Sequence, residues 1–395
     1  MKKFLAMLLA LVLCLSLTAC GGKDDGGADT TGGDDTQQTT DGETSGGDDS
    51  SAAPSDMMVA MVTDYGDITD ESFNQTTYEA CKSWCDSKGV KFTYYKPAGD
   101  STAERVAMVE AAVDEGYNTI VMPGFAFAET ISQVADTYPD VNFIALDVAE
   151  DDVGTIPGNT YCAVYQEELA GYMAGVAAVK LGYSHLGFLG GMAVPAVQRF
   201  GYGFVQGADA AAGQTGADVT LEYVYGNQFN GDADITAYMD NWYQTLGVDC
   251  VFASGGGIYT SAAEAAVKVE GAKVIGVDVD QSALIDTNYG DGLTVTSAMK
   301  GLAATVNHML DEVAAGNFGS YGGKAETLGL VSGDDPSLNY VLLPMETTQW
   351  GEGFSQDDYK QLVKDLYDGT ITVSSDITAM PETSNITVNT YADIK

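Results

Sequence analysis

Eight short apolar runs, each followed by a stretch long enough for an amphipathic helix, constrain this chain more than any other feature. They lie at 59–63, 92–95, 119–122, 143–146, 186–189, 221–225, 251–253 and 274–279. Thr119-Ile120-Val121-Met122 and Phe143-Ile144-Ala145-Leu146 do not alternate apolar with polar positions. Strands of that kind are buried on both faces, as in parallel sheets covered by helices. Repeated strand and helix units therefore predict parallel α/β layers, and 395 residues suffice for one large two-lobed core or two domains. The units would fit a closed barrel or two open, doubly wound lobes. Asp64, Gly124, Asp147, Gly190-Gly191, Gly255 to Gly257 and Asp278 follow apolar runs, where both architectures bind ligands. The tail after Lys300 decides between them: a helix over 303–314, irregular sequence over 319–339, an extended 340–343 and a helix over 356–366. A barrel has no use for such a return path. The expected fold is α/β, with two doubly wound parallel-sheet lobes joined by a hinge that the chain crosses several times. Residues 57–164 plus 297–332 are assigned to the N-terminal lobe, and 165–296 plus 333–395 to the C-terminal lobe.

Lys+Arg 17 against Asp+Glu 57 gives a formal net charge of -40. A surface that acidic repels nucleic-acid phosphates, so nucleic-acid binding is all but excluded. The two histidines, His185 and His308, supply little for His-based acid–base catalysis or a multi-histidine metal centre. No cofactor, metal or catalytic residue is expected. The amino end reads as an export signal over 1–19: Met1-Lys2-Lys3 is its positive region, and Phe4 to Leu17 is too short an apolar run to span a bilayer. Leu17-Thr18-Ala19-Cys20 resembles the lipobox of bacterial lipoproteins and implies a lipid anchor on Cys20 at the extracytoplasmic face of the membrane. Residues 21–56 are built from Gly, Asp, Thr and Ser without an aromatic residue or Leu, Ile, Val or Met. They cannot bury enough apolar area to fold, so 20–56 is expected to be a lipidated, disordered acidic tether. Cys81 and Cys85 read as core-facing hydrophobes, and the oxidation state of Cys81, Cys85, Cys162 and Cys250 is left open.

Several strand ends carry groups suited to a ligand. Asp64 sits at a strand tip and is a candidate acceptor for ligand hydroxyls, while Asp70 or Ser72 is expected to cap the helix beginning near Phe73. Phe73-Asn74 then offers a ring and an amide to the cleft. Gly255-Gly256-Gly257 lacks the Gly-Lys-Ser/Thr of a phosphate loop and reads as a place where backbone approaches a neutral ligand. Lys300 is either a hinge ion pair or a donor to sugar oxygens. Asp278 stands at its strand end as Asp64 does, in the opposite half of the series, an arrangement that suits a polyol closed between two lobes.

Val62-Thr63-Asp64 with Ser72-Phe73-Asn74-Gln75, Gly190-Gly191-Met192 with Pro195 and Arg199-Phe200, Ile275 to Gln281, and Ser297-Ala298-Met299-Lys300 together resemble the basic membrane protein family. Its members are similar to the purine nucleoside receptor lipoproteins of ABC transporters. The resemblance implies a type I periplasmic-binding-protein fold, a nucleoside ligand and an ABC permease as partner. It places the ribose-binding groups on Asp64, Asp278 and Lys300, the base-sandwiching rings on Phe73 and Phe229, and the base-recognising carboxylate on Asp147, with Asn74 and Gly255 completing the pocket. Tyr259 departs from the family pattern and is expected to narrow the pocket or add a ring. The rivals are a receptor of the same fold for a sugar or another base-bearing solute, and a nucleoside or glycoside hydrolase using Asp64 and Asp278 as a carboxylate pair.

Overall fold

The structure, a computed structural model, describes residues 56–395. The expected signal segment, Cys20 and the tether up to residue 55 lie outside the described residues.

Two parallel sheets organise the molecule. The first has six strands in the order β11-β5-β4-β3-β1-β2, formed by β1 (Met58–Val62), β2 (Lys91–Tyr95), β3 (Thr119–Pro123), β4 (Asn142–Leu146), β5 (Thr160–Tyr165) and β11 (Lys324–Leu328). The second has seven in the order β12-β10-β9-β8-β6-β7-β13. These are β6 (His185–Gly190), β7 (Val219–Tyr225), β8 (Cys250–Ser254), β9 (Lys273–Asp278), β10 (Thr294–Lys300), β12 (Val341–Leu342) and β13 (Ile386–Thr390). Every pairing is parallel except β10 with β12. Each of the eight apolar runs forms a strand, and central strands such as β3 and β8 are buried along their whole length.

The chain passes between the sheets three times: after β5, after β10, and between β11 and β12. The expected lobe boundary between residues 296 and 297 falls inside β10. That strand pairs with β9 and β12 through to Lys300, so residues 297–300 belong to the second sheet and the chain leaves it at Gly301. The stretch 319–339, expected to be irregular, contains β11, which is half-exposed along its length. An edge strand with one wet face carries no continuous apolar run.

The two helices behind the second sheet, Glu167–Lys180 and Pro195–Thr215, lie backbone to backbone. A Cβ on Gly203 would come within 2.1 Å of the Glu168 carbonyl oxygen, and one on Gly171 within 2.1 Å of the Phe200 carbonyl oxygen. Contact that close is open only to glycine. It buries nearly all of the Glu167–Lys180 helix directly beneath the first crossing. Among the described residues Cys81, Cys85, Cys162 and Cys250 are unpaired and buried, and burial pushes the Cys85 and Cys162 thiols up to about 12, which keeps them protonated.

Candidate ligand-binding site

The carboxyl ends of both sheets face one cavity of 370 Å³. Asp64, Phe73, Asn74 and Asp147 reach it from the first sheet's side, and Phe229, Gly255, Asp278 and Lys300 from the second. The structure thus brings all eight expected residues to one place, from strand tips where parallel sheets leave room for a ligand.

Asp64 accepts hydrogen bonds from the backbone N–H groups of Tyr65 (2.7 Å) and Gly66 (2.6 Å). Burial pushes its carboxyl up to about 6 against the pull of those donors. Gly124, at φ +128°, sits where a Cβ would lie 2.8 Å from Asp64 Oδ2, so glycine there leaves space for the carboxylate. Asp70 is the capping group of the Phe73–Lys88 helix and accepts from the N–H groups of Ser72, Asn74 and Gln75 at 2.9 to 3.0 Å. Ser72 is thereby free to donate across the cleft to Asp278 Oδ2 at 2.5 Å.

Asp147 and Asp278 both take left-handed backbone conformations, at φ 60° and 65°. Such strain in a residue with a Cβ persists only where the surroundings hold it, and it concentrates at functional sites. Burial raises the Asp278 carboxyl to about 6, with Lys300 and the Ser72 hydroxyl pulling it down. Lys300 lies 2.7 Å from Asp147 Oδ2, 3.5 Å from Glu167 Oε1 and 3.8 Å from Asp278 Oδ1. Its ammonium also sits 4.6 Å from the centre of the Phe73 ring. Burial opposes its charge, but Asp147, Asp278 and Glu167 outweigh burial and hold it above the ordinary lysine value. Asn74 Oδ1, Asp147 Oδ1 and Ser254 Oγ, on residues that line the cavity, are buried without a hydrogen-bond partner among the described residues.

Phe229 stands against Gly191 and Gly255, where Cβ atoms would come within 2.5 and 2.9 Å of its ring. The glycines after β6 and β8 therefore seat an aromatic ring. Tyr65 stacks on Phe229 with ring centres 5.9 Å apart and planes 20° apart, and its hydroxyl meets Met192 Sδ across the cleft at 3.3 Å. The expectation for Tyr259 is overturned. Its side chain is buried in the core beside Ile258 and Ala262 and is not part of the cavity wall, because it opens the Tyr259–Ala266 helix with its ring turned into the lobe. Tyr65 supplies the extra ring instead; its place beside Asp64 at the first strand tip was the available signal. Glu167, fully buried and bonded to Arg199 at 2.6 Å, stands two residues after the apolar run Tyr161 to Tyr165 that forms most of β5, and that run was the available signal. Among the described residues no group of three or more His, Cys, Asp or Glu side chains is placed to hold a metal ion.

Residues 57–334 match the model of the Bmp family, described as ABC transporter substrate-binding protein PnrA-like. The chain belongs to this family. It is 28% identical over 338 residues to the ABC transporter nucleoside-binding protein BmpA of Lactococcus lactis subsp. cremoris, covering 81% of this chain and 90% of that one. It is 30% identical over 182 residues to an uncharacterised lipoprotein of Pyrococcus horikoshii, covering 45% and 44%. Among solved structures, a solute-binding protein of an ABC transporter system from Aeropyrum pernix K1 aligns with TM-score 0.63 at 22% identity, over 80% of this chain and 87% of that one. The two-sheet architecture is the type I periplasmic-binding-protein fold. Family membership makes the chain a substrate-binding protein of an ABC transporter, with a small-molecule ligand and a permease as its partners. Among the described residues no helix is long and apolar enough to cross a membrane.

Proposed function

We propose that the protein is a lipid-anchored, extracytoplasmic receptor that closes its two lobes over a nucleoside, a purine nucleoside foremost, and presents it to an ABC importer. The reading rests on one observation: aromatic rings and carboxylate residues from both lobes line a single 370 Å³ cavity. In this reading Phe73 and Phe229 hold the base between them, each stacking contact contributing about 1 to 3 kcal/mol. The free oxygen of Asp147 accepts an N–H of the base, with Asn74 and Ser254 alongside. Asp64 and Asp278 accept the ribose hydroxyls, and Lys300 donates to a ribose oxygen while it neutralises the acids around it. Closure removes water from these hydrogen bonds and strengthens them. A relative named for nucleoside binding supports the ligand class, and relatives called lipoproteins support the anchor.

Native mass spectrometry of the protein as purified tests the ligand class. A non-covalent adduct with the mass of a nucleoside is the expected result. A free sugar as the only adduct, or release of base and ribose during incubation with guanosine, would replace this reading with a sugar receptor or a hydrolase.

A further inference from the structure

Beside the hinge, outside the ligand cleft, lies a second cavity of 320 Å³. Its walls include Leu169, Leu330, Leu366 and Ile371, with Gln166 at one side and the half-exposed Tyr367 ring at another. Glu168 is its one charged wall residue. That side chain is 4% exposed, yet among the described residues its Oε2 has no hydrogen-bond partner. The contrast with its neighbour is informative, because Glu167 is equally deep and is matched by Arg199 at 2.6 Å and Lys300 at 3.5 Å. Burial, reinforced by the charge of Glu167, pushes the Glu168 carboxyl up to about 7. A buried carboxylate without a partner is unfavourable, and a cation that reaches it regains what solvation no longer supplies. Aliphatic walls accept a hydrocarbon chain, a phenol ring attracts an ammonium to its face, and the protein's net charge of -40 draws cations in.

We propose that this hinge-side cavity is a second binding site, for a small aliphatic amine whose ammonium pairs with Glu168 and whose carbon chain lies along Leu169, Leu330 and Leu366. The site is independent of the nucleoside reading. Gln166 and Glu168 follow the first crossing between the sheets, and Leu330 lies on the third, so a bound amine would bridge two hinge segments.

Calorimetric titration of the full chain with n-butylammonium, with n-butanol as its neutral counterpart, tests the proposal. Saturable binding of one equivalent of butylammonium and none of butanol is expected. Glu168→Gln should weaken it more than tenfold. Ile371→Trp, which fills the cavity and leaves Glu168 in place, should do the same and carries the test if Glu168→Gln does not fold. Absence of saturable binding, or binding to which both variants are indifferent, as it would be if the amine entered the acidic cleft, overturns the proposal.

Discussion

Asp64 and Asp278 are both held in environments that disfavour their charge. A carboxyl raised by folding binds its proton more tightly folded than unfolded. The stability it contributes is therefore present below its ordinary value near 4 and is lost as pH rises through about 6. Asp64→Asn, which does not titrate, should gain stability relative to the parent chain between pH 4.5 and 7.5, by about 2 kcal/mol, in urea unfolding followed by circular dichroism; an unchanged difference would mean that burial does not raise the Asp64 carboxyl. Ligand binding should move the opposite way. Hydroxyl donors need the ionised acceptors, so guanosine affinity is expected to climb between pH 5 and 7 and level off above; a flat profile would remove these carboxylates from the contact. Asp278→Ala should weaken guanosine at least about thirtyfold, close to 2 kcal/mol, the loss typical of a charge-assisted hydrogen bond, as read by calorimetry. Its effect on Lys300 should be modest, because the closest partner of that ammonium is Asp147.

At the scale of elements, helix contact through glycine sets the geometry of the first crossing. Gly203→Ala places a methyl group against the Glu168 backbone and must push the Pro195–Thr215 helix away from its neighbour. The expected cost is about 1 to 3 kcal/mol, typical of overpacking, measurable as a lowered midpoint in denaturant; an unchanged midpoint would show that the contact is looser than described. These elements also show what was legible in the sequence. Strands such as β3, β4 and β8 announced themselves as apolar runs, and the tips of β1, β4 and β9 located Asp64, Asp147 and Asp278, whereas β5 went unrecognised despite its apolar Tyr161 to Tyr165. The edge strands β11 and β13 did not announce themselves, since only part of each is covered. β10 was recognised only through the Ser297 to Lys300 motif, because its Thr and Ser side chains are polar although buried. The fold supplies their partners: Thr296 meets Thr348 at 2.7 Å and Thr294 donates to Asp286 at 2.8 Å. The pairing of Thr296 with Thr348, 52 residues apart, leaves no local mark. Tyr259 shows the reverse failure, a ring near a strand tip that the first helical turn directs into the core.

On the scale of the whole molecule, side chains of the two lobes meet around the cavity: Ser72 with Asp278, Gln281 with the Glu71 carbonyl at 3.1 Å, Lys300 with Asp147, and Tyr65 with Met192 and Phe229. A receptor that exchanges its ligand by opening must break these links. Ser72→Ala removes one link without touching the rings, so the ligand-free protein should become more extended in small-angle scattering, and an unchanged radius of gyration would mean that Ser72 does not hold the lobes together. In the proposed reading one cavity recognises base and sugar together, through groups from both lobes. Calorimetric titration of the full chain with guanosine, ribose and guanine in parallel tests it most directly. Guanosine should bind at one site at least a hundredfold more tightly than either fragment, whereas ribose or guanine binding as tightly as guanosine would contradict the account.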